Sequence, residues 1–128
     1  MRHEFPLPEE DEESLNALGS PWETIRDGGG QWLLLHEMEF CEGIVPRRGS
    51  VAIQIPPSYP TAGLDMSYFC PPLARADGQA IRQSQVMQPI DGKQWQRWSR
   101  HYTWEPGNHN LSTHIVLIHR WLEAALTN

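Results

Sequence analysis

Basic residues are scarce in this chain of 128 residues: ten Lys and Arg, of which only Lys93 is lysine, stand against 16 Asp and Glu, for a net charge of −6. That balance removes any broad basic face for nucleic acid. No stretch approaches the ~18 apolar residues that cross a bilayer, and the N-terminus lacks the basic-then-apolar order of a secretory signal. A cytoplasmic protein with no membrane contact is therefore the expectation. Two cysteines, Cys41 and Cys70, exclude a disulfide scaffold, so each is either an inert buried thiol or a reactive one. Asp27-Gly28-Gly29-Gly30 lacks the lysine and hydroxyl of a phosphate loop, and a hairpin explains its glycines. His109, His114 and His119 are each five residues apart, which points His114 and His119 about 140° apart on a helix, too far to chelate one ion. Solvated or capping histidines are the better expectation, and neither a cofactor nor a metal is expected.

What is present describes one domain over residues 1–128, with 39% apolar residues, six tryptophans and 11 prolines. The charge is uneven. Residues 1–13 hold six acids (Glu4, Glu9, Glu10, Asp11, Glu12, Glu13) and one base (Arg2), so almost all the net charge sits there. Residues 1–8 are expected to be flexible. Pro8, the acids after it and Gly19 predict a short helix from Glu9 to Leu18 with a solvated acidic start, anchored by Leu15 and Leu18.

Trp22 to Arg26, the glycine run and Gln31 to Phe40 read as a hairpin. Alternation places Trp32, Leu34, His36, Met38 and Phe40 on one face and Leu33, Leu35, Glu37 and Glu39 on the other, with His36 a hydrogen-bonded core histidine. Ser50 to Ile55 is a third strand, and Leu64 to Phe69 a fourth that ends at Cys70-Pro71-Pro72. Short loops between consecutive strands predict an antiparallel meander. Leu73 to Asn110 shows no persistent period, and its anchors are Trp95, Trp98, Trp104, Tyr102, Arg97 and Arg100. The last element is a helix from Ser112 to Leu126, capped by Asn110 or Ser112, with an apolar stripe at Leu111, Ile115, Ile118, Leu122 and Ala125. The fold class is α+β.

Ser58-Tyr59-Pro60, Leu64-Asp65-Met66-Ser67-Tyr68-Phe69, Cys70-Pro71-Pro72 and Arg75-Ala76-Asp77-Gly78 follow the order of motifs around the active site of the ubiquitin-conjugating (UBC) fold. With Gly92-Lys93-Gln94-Trp95-Gln96-Arg97-Trp98-Ser99-Arg100-His101, Trp104 and Pro106-Gly107, the chain resembles a bacterial branch of that fold, prokaryotic family E, from about Leu7 to Leu126. The resemblance implies an N-terminal helix, a four-stranded antiparallel meander, a long irregular active-site-like segment and a C-terminal helix, without the further helices of longer members. It also implies a bacterial ubiquitin-like modification pathway, of a kind associated with mobile elements or antiphage defence. The partners would be a ubiquitin-like protein and an activating enzyme, the latter docking at the acidic first helix.

The same resemblance puts Ile81 at the catalytic position, Pro72 at the position of the supporting asparagine and Cys70 at that of a histidine. Two readings follow. In one, Cys70 is a relocated thioester nucleophile with His101 as its base, making the protein a transferase. In the other, Cys70 is a small apolar residue at a strand end and the domain is a binding module without thioester chemistry. Trp95, Arg97, Trp98, Arg100 and Trp104 are either a recognition surface or the side chains that close the open end of the sheet.

Overall fold

The computed structural model describes residues 1–127. Its elements are α1 (Glu9–Leu18), β1 (Trp22–Asp27), β2 (Gly30–Glu39), β3 (Ile44–Val45), β4 (Arg48–Gln54), β5 (Ser67–Cys70), β6 (Ala74–Arg75), β7 (Val86–Ile90), β8 (Lys93–Trp98) and α2 (Leu111–Ala125). Six strands form one antiparallel sheet in the order β1-β2-β4-β5-β8-β7, while β3 and β6 pair separately as a short clip. No helix is long and apolar enough to cross a membrane.

The four-stranded meander is corrected to six strands, because the segment expected to be irregular contains the β7–β8 hairpin. Its turn is Asp91-Gly92, both at positive φ (54° and 75°), which suits the twist of two-residue hairpins. Pro89 and the glutamines of Val-Met-Gln-Pro-Ile and Lys-Gln-Trp-Gln-Arg-Trp hide the strand period. β8 still lies beside β5, with Ser67 opposite Trp98 and Phe69 opposite Gln96.

A second correction concerns β2. The register shifts between Leu35 and Met38, and Glu37 adopts a φ of 56°. The extra residue of this bulge flips the face on which later side chains lie. Leu33 and Leu35 before it, and Met38 and Phe40 after it, all join the core beneath the helices, whereas Trp32 and Leu34 point to the opposite face.

The helix-covered core combines those residues with Val51, Ile53, Phe69 and Trp98 of the sheet and Ile115, Ile118 and Leu122 of α2. The stripe expected for α2 is buried throughout, and the side chain of Asn110 accepts from the Thr113 amide in a capping box. At the other end Arg75 donates to the Ala125 and Leu126 carbonyls at 3.0 and 3.3 Å, and Asp77 holds its guanidinium at 2.6 Å. Arg75-Ala76-Asp77-Gly78 thus closes the helix C-terminus, whose last carbonyls have no intrahelical partner.

Within the first eighteen residues the anchoring of α1 departs from expectation. Residues 1–8 pack against the sheet: the Glu4 amide donates to the Thr24 carbonyl at 2.9 Å, and Phe5 and Leu7 are buried. In α1, Leu15 is buried but Leu18 is 49% exposed. The second anchor is Asp11, which is not solvated: it accepts from the Tyr59 hydroxyl at 2.6 Å, and that oxygen accepts from the Leu111 amide at 2.9 Å. Burial pushes the Asp11 carboxyl above its ordinary range.

On the face away from the helices, Ile25, Trp32, Leu34, Ala52, Tyr68, Ile90 and Trp95 form a second buried cluster to which neither helix contributes. Curling of the sheet closes it. The β7–β8 turn reaches β1, where the Asp91 amide donates to Asp27 at 3.0 Å, and the Arg2 guanidinium clasps Asp91 at 2.6 and 2.9 Å.

Candidate functional site

Cys70 is the last residue of β5, half-buried and free, packed against the second cluster and opposite Ser50 of β4. His101 is exposed, and its Nδ1 pairs with Asp65 at 2.8 Å. Asp65 precedes β5 at the end away from Cys70, where the Met66 amide donates to the Arg100 carbonyl at 3.1 Å. The structure therefore places Cys70 and His101 at opposite ends of β5 and does not bring them together. Ile81, which the resemblance would put at the catalytic position, is buried in the helix-covered core at 4% exposure.

The five residues expected to form a recognition surface do not share one. Trp95 lies in the second cluster, donating its Nε1–H to the Ile90 carbonyl at 3.0 Å. Trp98 lies in the first, edge-on to Phe69 at 5.2 Å between ring centroids, with its Nε1–H on Gln96. Both rings are core, which follows from strand alternation: residues three apart on β8 face opposite ways. Trp104 is half-buried, donates to the Pro60 carbonyl at 3.0 Å and fills the space that a side chain at Gly63 would need. Arg97 stands opposite Tyr68 with its Nε buried and unpartnered.

Arg100 alone among them opens onto a cavity. Its guanidinium lies 5.0 Å from the Trp98 ring and donates to the Ser99 carbonyl. With Arg82, Gln83 and Ser99 it faces Trp121, Ala124 and Ala125 of α2 across a cleft of about 270 Å³. A hydrogen bond from the Ser99 amide to the Gln83 carbonyl (3.0 Å) joins the two segments that carry the arginines. Among the described residues neither arginine is ion-paired to a carboxylate, although acids outnumber bases in the chain. Burial, and then the charge of Arg82, push the Arg100 guanidinium below its ordinary value. Two like charges in a cleft with no counterion among the described residues suit an anionic group with two oxygens. Arg82 was not legible as a site residue because it lies outside the tryptophan-rich run; its only signal is its place directly after Ile81.

The histidines also sort themselves. His114 is neither solvated nor a cap: it is fully buried, with Nε2 on the Met66 carbonyl (2.9 Å) and Nδ1 on the Tyr102 hydroxyl (2.7 Å). Burial pushes its pKa down to about 4. His109 accepts from the Glu105 amide, and no group of residues suited to hold a metal occurs among the described residues. His36 is hydrogen-bonded as expected, to Ser50 at 2.9 Å and Glu23 at 2.8 Å, but with its side chain 23% exposed it lies at the margin of the sheet and not in the core.

In comparison with known proteins, no curated protein and no solved structure matches the chain significantly. The sequence profile of prokaryotic E2 family E matches residues 7–125, nearly the whole chain, so the chain belongs to that family of bacterial E2-like proteins.

Proposed function

We propose that this E2-like chain holds the C-terminal carboxylate of a ubiquitin-like protein, in a bacterial modification pathway with an activating enzyme, and forms no cysteine thioester. The observation that carries this reading is the pair Arg82 and Arg100, without a carboxylate partner among the described residues, in a cleft that begins directly after Ile81 in the chain. A nucleophile is missing where the family's chemistry would occur, and a charge suited to the unreacted tail stands next to it. Bidentate pairing of guanidinium with carboxylate supplies the affinity, and a tail already joined to another group has lost that charge and binds less well. The exposed acids Glu9, Glu10 and Glu13 of α1 remain the docking face for the activating enzyme; Asp11 is excluded because it points inward.

The test combines binding and charging. A peptide copying the tail of the ubiquitin-like partner should bind with a free carboxyl terminus and bind at least tenfold more weakly as its amide, and Arg100→Ala should remove the difference. With activating enzyme, ATP and the ubiquitin-like protein, non-reducing gels should show no thiol-sensitive adduct on this chain. A thiol-sensitive adduct abolished by Cys70→Ser would replace this reading with the transferase one.

A further inference from the structure

The margin of the helix-free face carries a row of hydrogen bonds that the cleft does not use. Arg2 Nε donates to Glu23 Oε1 at 2.8 Å, Glu23 Oε2 lies 2.8 Å from His36 Nε2, and His36 Nδ1 lies 2.9 Å from Ser50 Oγ. These groups come from the N-terminal segment and from the adjacent strands β1, β2 and β4, so the sheet itself fixes their spacing. The β2 bulge follows Leu35 directly, and bulges re-aim side chains.

The partners along the row constrain its hydrogen bonds. Its hydrogen bonds to Arg2 hold the Glu23 carboxyl down to about 2, so Glu23 is a carboxylate and only accepts. Beside that carboxylate a neutral imidazole carries its proton on Nε2, which leaves the Nδ1 lone pair for the Ser50 hydroxyl. The Glu23 side chain is 10% exposed, that of His36 is 23%, and Ser50 is half-buried. A buried carboxylate orienting an imidazole that accepts from a reachable hydroxyl is the arrangement that activates an oxygen nucleophile.

We propose that Ser50 is an activated nucleophile toward acyl donors of the ester or thioester class, with His36 as its base and Glu23, held by Arg2, orienting the imidazole. Ser50 Oγ attacks the acyl carbon as its proton passes to His36 Nδ1. The bond from acyl carbon to the leaving alkoxide or thiolate then breaks, that group takes the proton from His36, and the acyl group remains as an ester on Ser50. Water repeats the sequence to release the acid. This reaction is independent of the carboxylate cleft.

An alkyl fluorophosphonate tests it on the whole chain without any partner. The Ser50 oxygen displaces fluoride at phosphorus, with loss of hydrogen fluoride, and leaves a fixed mass increment. Peptide mapping should place that increment on Ser50 in the wild type and in Cys70→Ala, and find none in Ser50→Ala. The rate should fall at least tenfold in His36→Gln and several-fold in Glu23→Gln, each checked by circular dichroism for a native melt. An unlabelled wild type, a label on another residue, or a folded His36→Gln that reacts as fast as the wild type would each overturn the proposal. Should His36→Gln not fold, the wild-type mapping decides alone.

Discussion

The two faces of the sheet bury comparable side chains by different means. On one face α2 lays a stripe repeating every three or four residues over Leu33, Leu35, Val51, Ile53, Phe69 and Trp98, and apolar contact is continuous between two layers. On the other, Trp32 meets Tyr68 edge-on at 5.1 Å, and the cluster is closed by the sheet's own curl and by Arg2 reaching Asp91, 89 residues away. The first face is a packing problem solved by local periodicity. The second depends on ionic contacts between distant segments, and so it can also carry polar chemistry along its margin.

The comparison breaks most directly at the tryptophans of β8, which share a strand and differ in the face they occupy. Trp98→Ala opens a cavity between sheet and helix that neither layer can close, so the cost should lie near the top of the roughly 3–5 kcal/mol seen for such truncations. Trp95→Ala leaves a cavity that further curling can partly fill, and its cost should lie near the bottom of the same range of roughly 3–5 kcal/mol. Urea denaturation of both variants measures the difference. Equal costs would mean that the second face is as rigidly enclosed as the first.

A smaller effect separates the faces by pH. His114, in the helix layer, has its pKa pushed from 6.5 down to about 4 by burial, so the unfolded chain binds the proton more tightly. Stability is then lost as pH falls from 6.5 to 4. The full shift corresponds to roughly 3 kcal/mol. His114→Gln should be less stable at pH 7, because the bonds to Tyr102 and Met66 are disturbed, yet show a flatter profile between pH 6.5 and 4. An unchanged slope in that variant would assign the acid sensitivity to other groups.

These contrasts also mark what the sequence revealed. The helices, the β1–β2 hairpin and the Asn110 cap were legible because each is written in neighbouring residues: a three-and-four spacing, a glycine run, an amide before an apolar stripe. The β7–β8 hairpin was obscured because each face of β8 mixes one tryptophan with glutamine, lysine or arginine, so no two-residue apolar period appears. The bulge after Leu35 could not be read, since no glycine marks it and Glu37 adopts positive φ in its place. Family resemblance drew attention to Cys70, His101 and the tryptophans. It gave no hint that His101 belongs to Asp65, that Arg82 joins Arg100, or that Glu23, His36 and Ser50 meet, because those pairings cross from strand to strand or segment to segment.

The smallest effect tests whether the polar margin exists to hold the second face together. Glu23 has its pKa lowered from 4.5 to about 2, chiefly by its hydrogen bond from Arg2, so its ionised form favours the fold, and that contribution is lost as pH falls from 4.5 to 2. This window is centred below that of His114 and overlaps it only between pH 4.5 and 4, so acid titration of stability should show two successive losses. Arg2 is 44% exposed, and solvent screening reduces the contribution to roughly 1–2 kcal/mol. Glu23→Gln should remove the lower loss alone, leave the loss between pH 6.5 and 4 intact, and cost no more than that amount at neutral pH. A cost as large as that of Trp95→Ala would make the row a structural clamp of the curled face. A small cost, with the fold unchanged, leaves an ionised carboxylate, an oriented imidazole and a hydroxyl in line where packing alone does not require them.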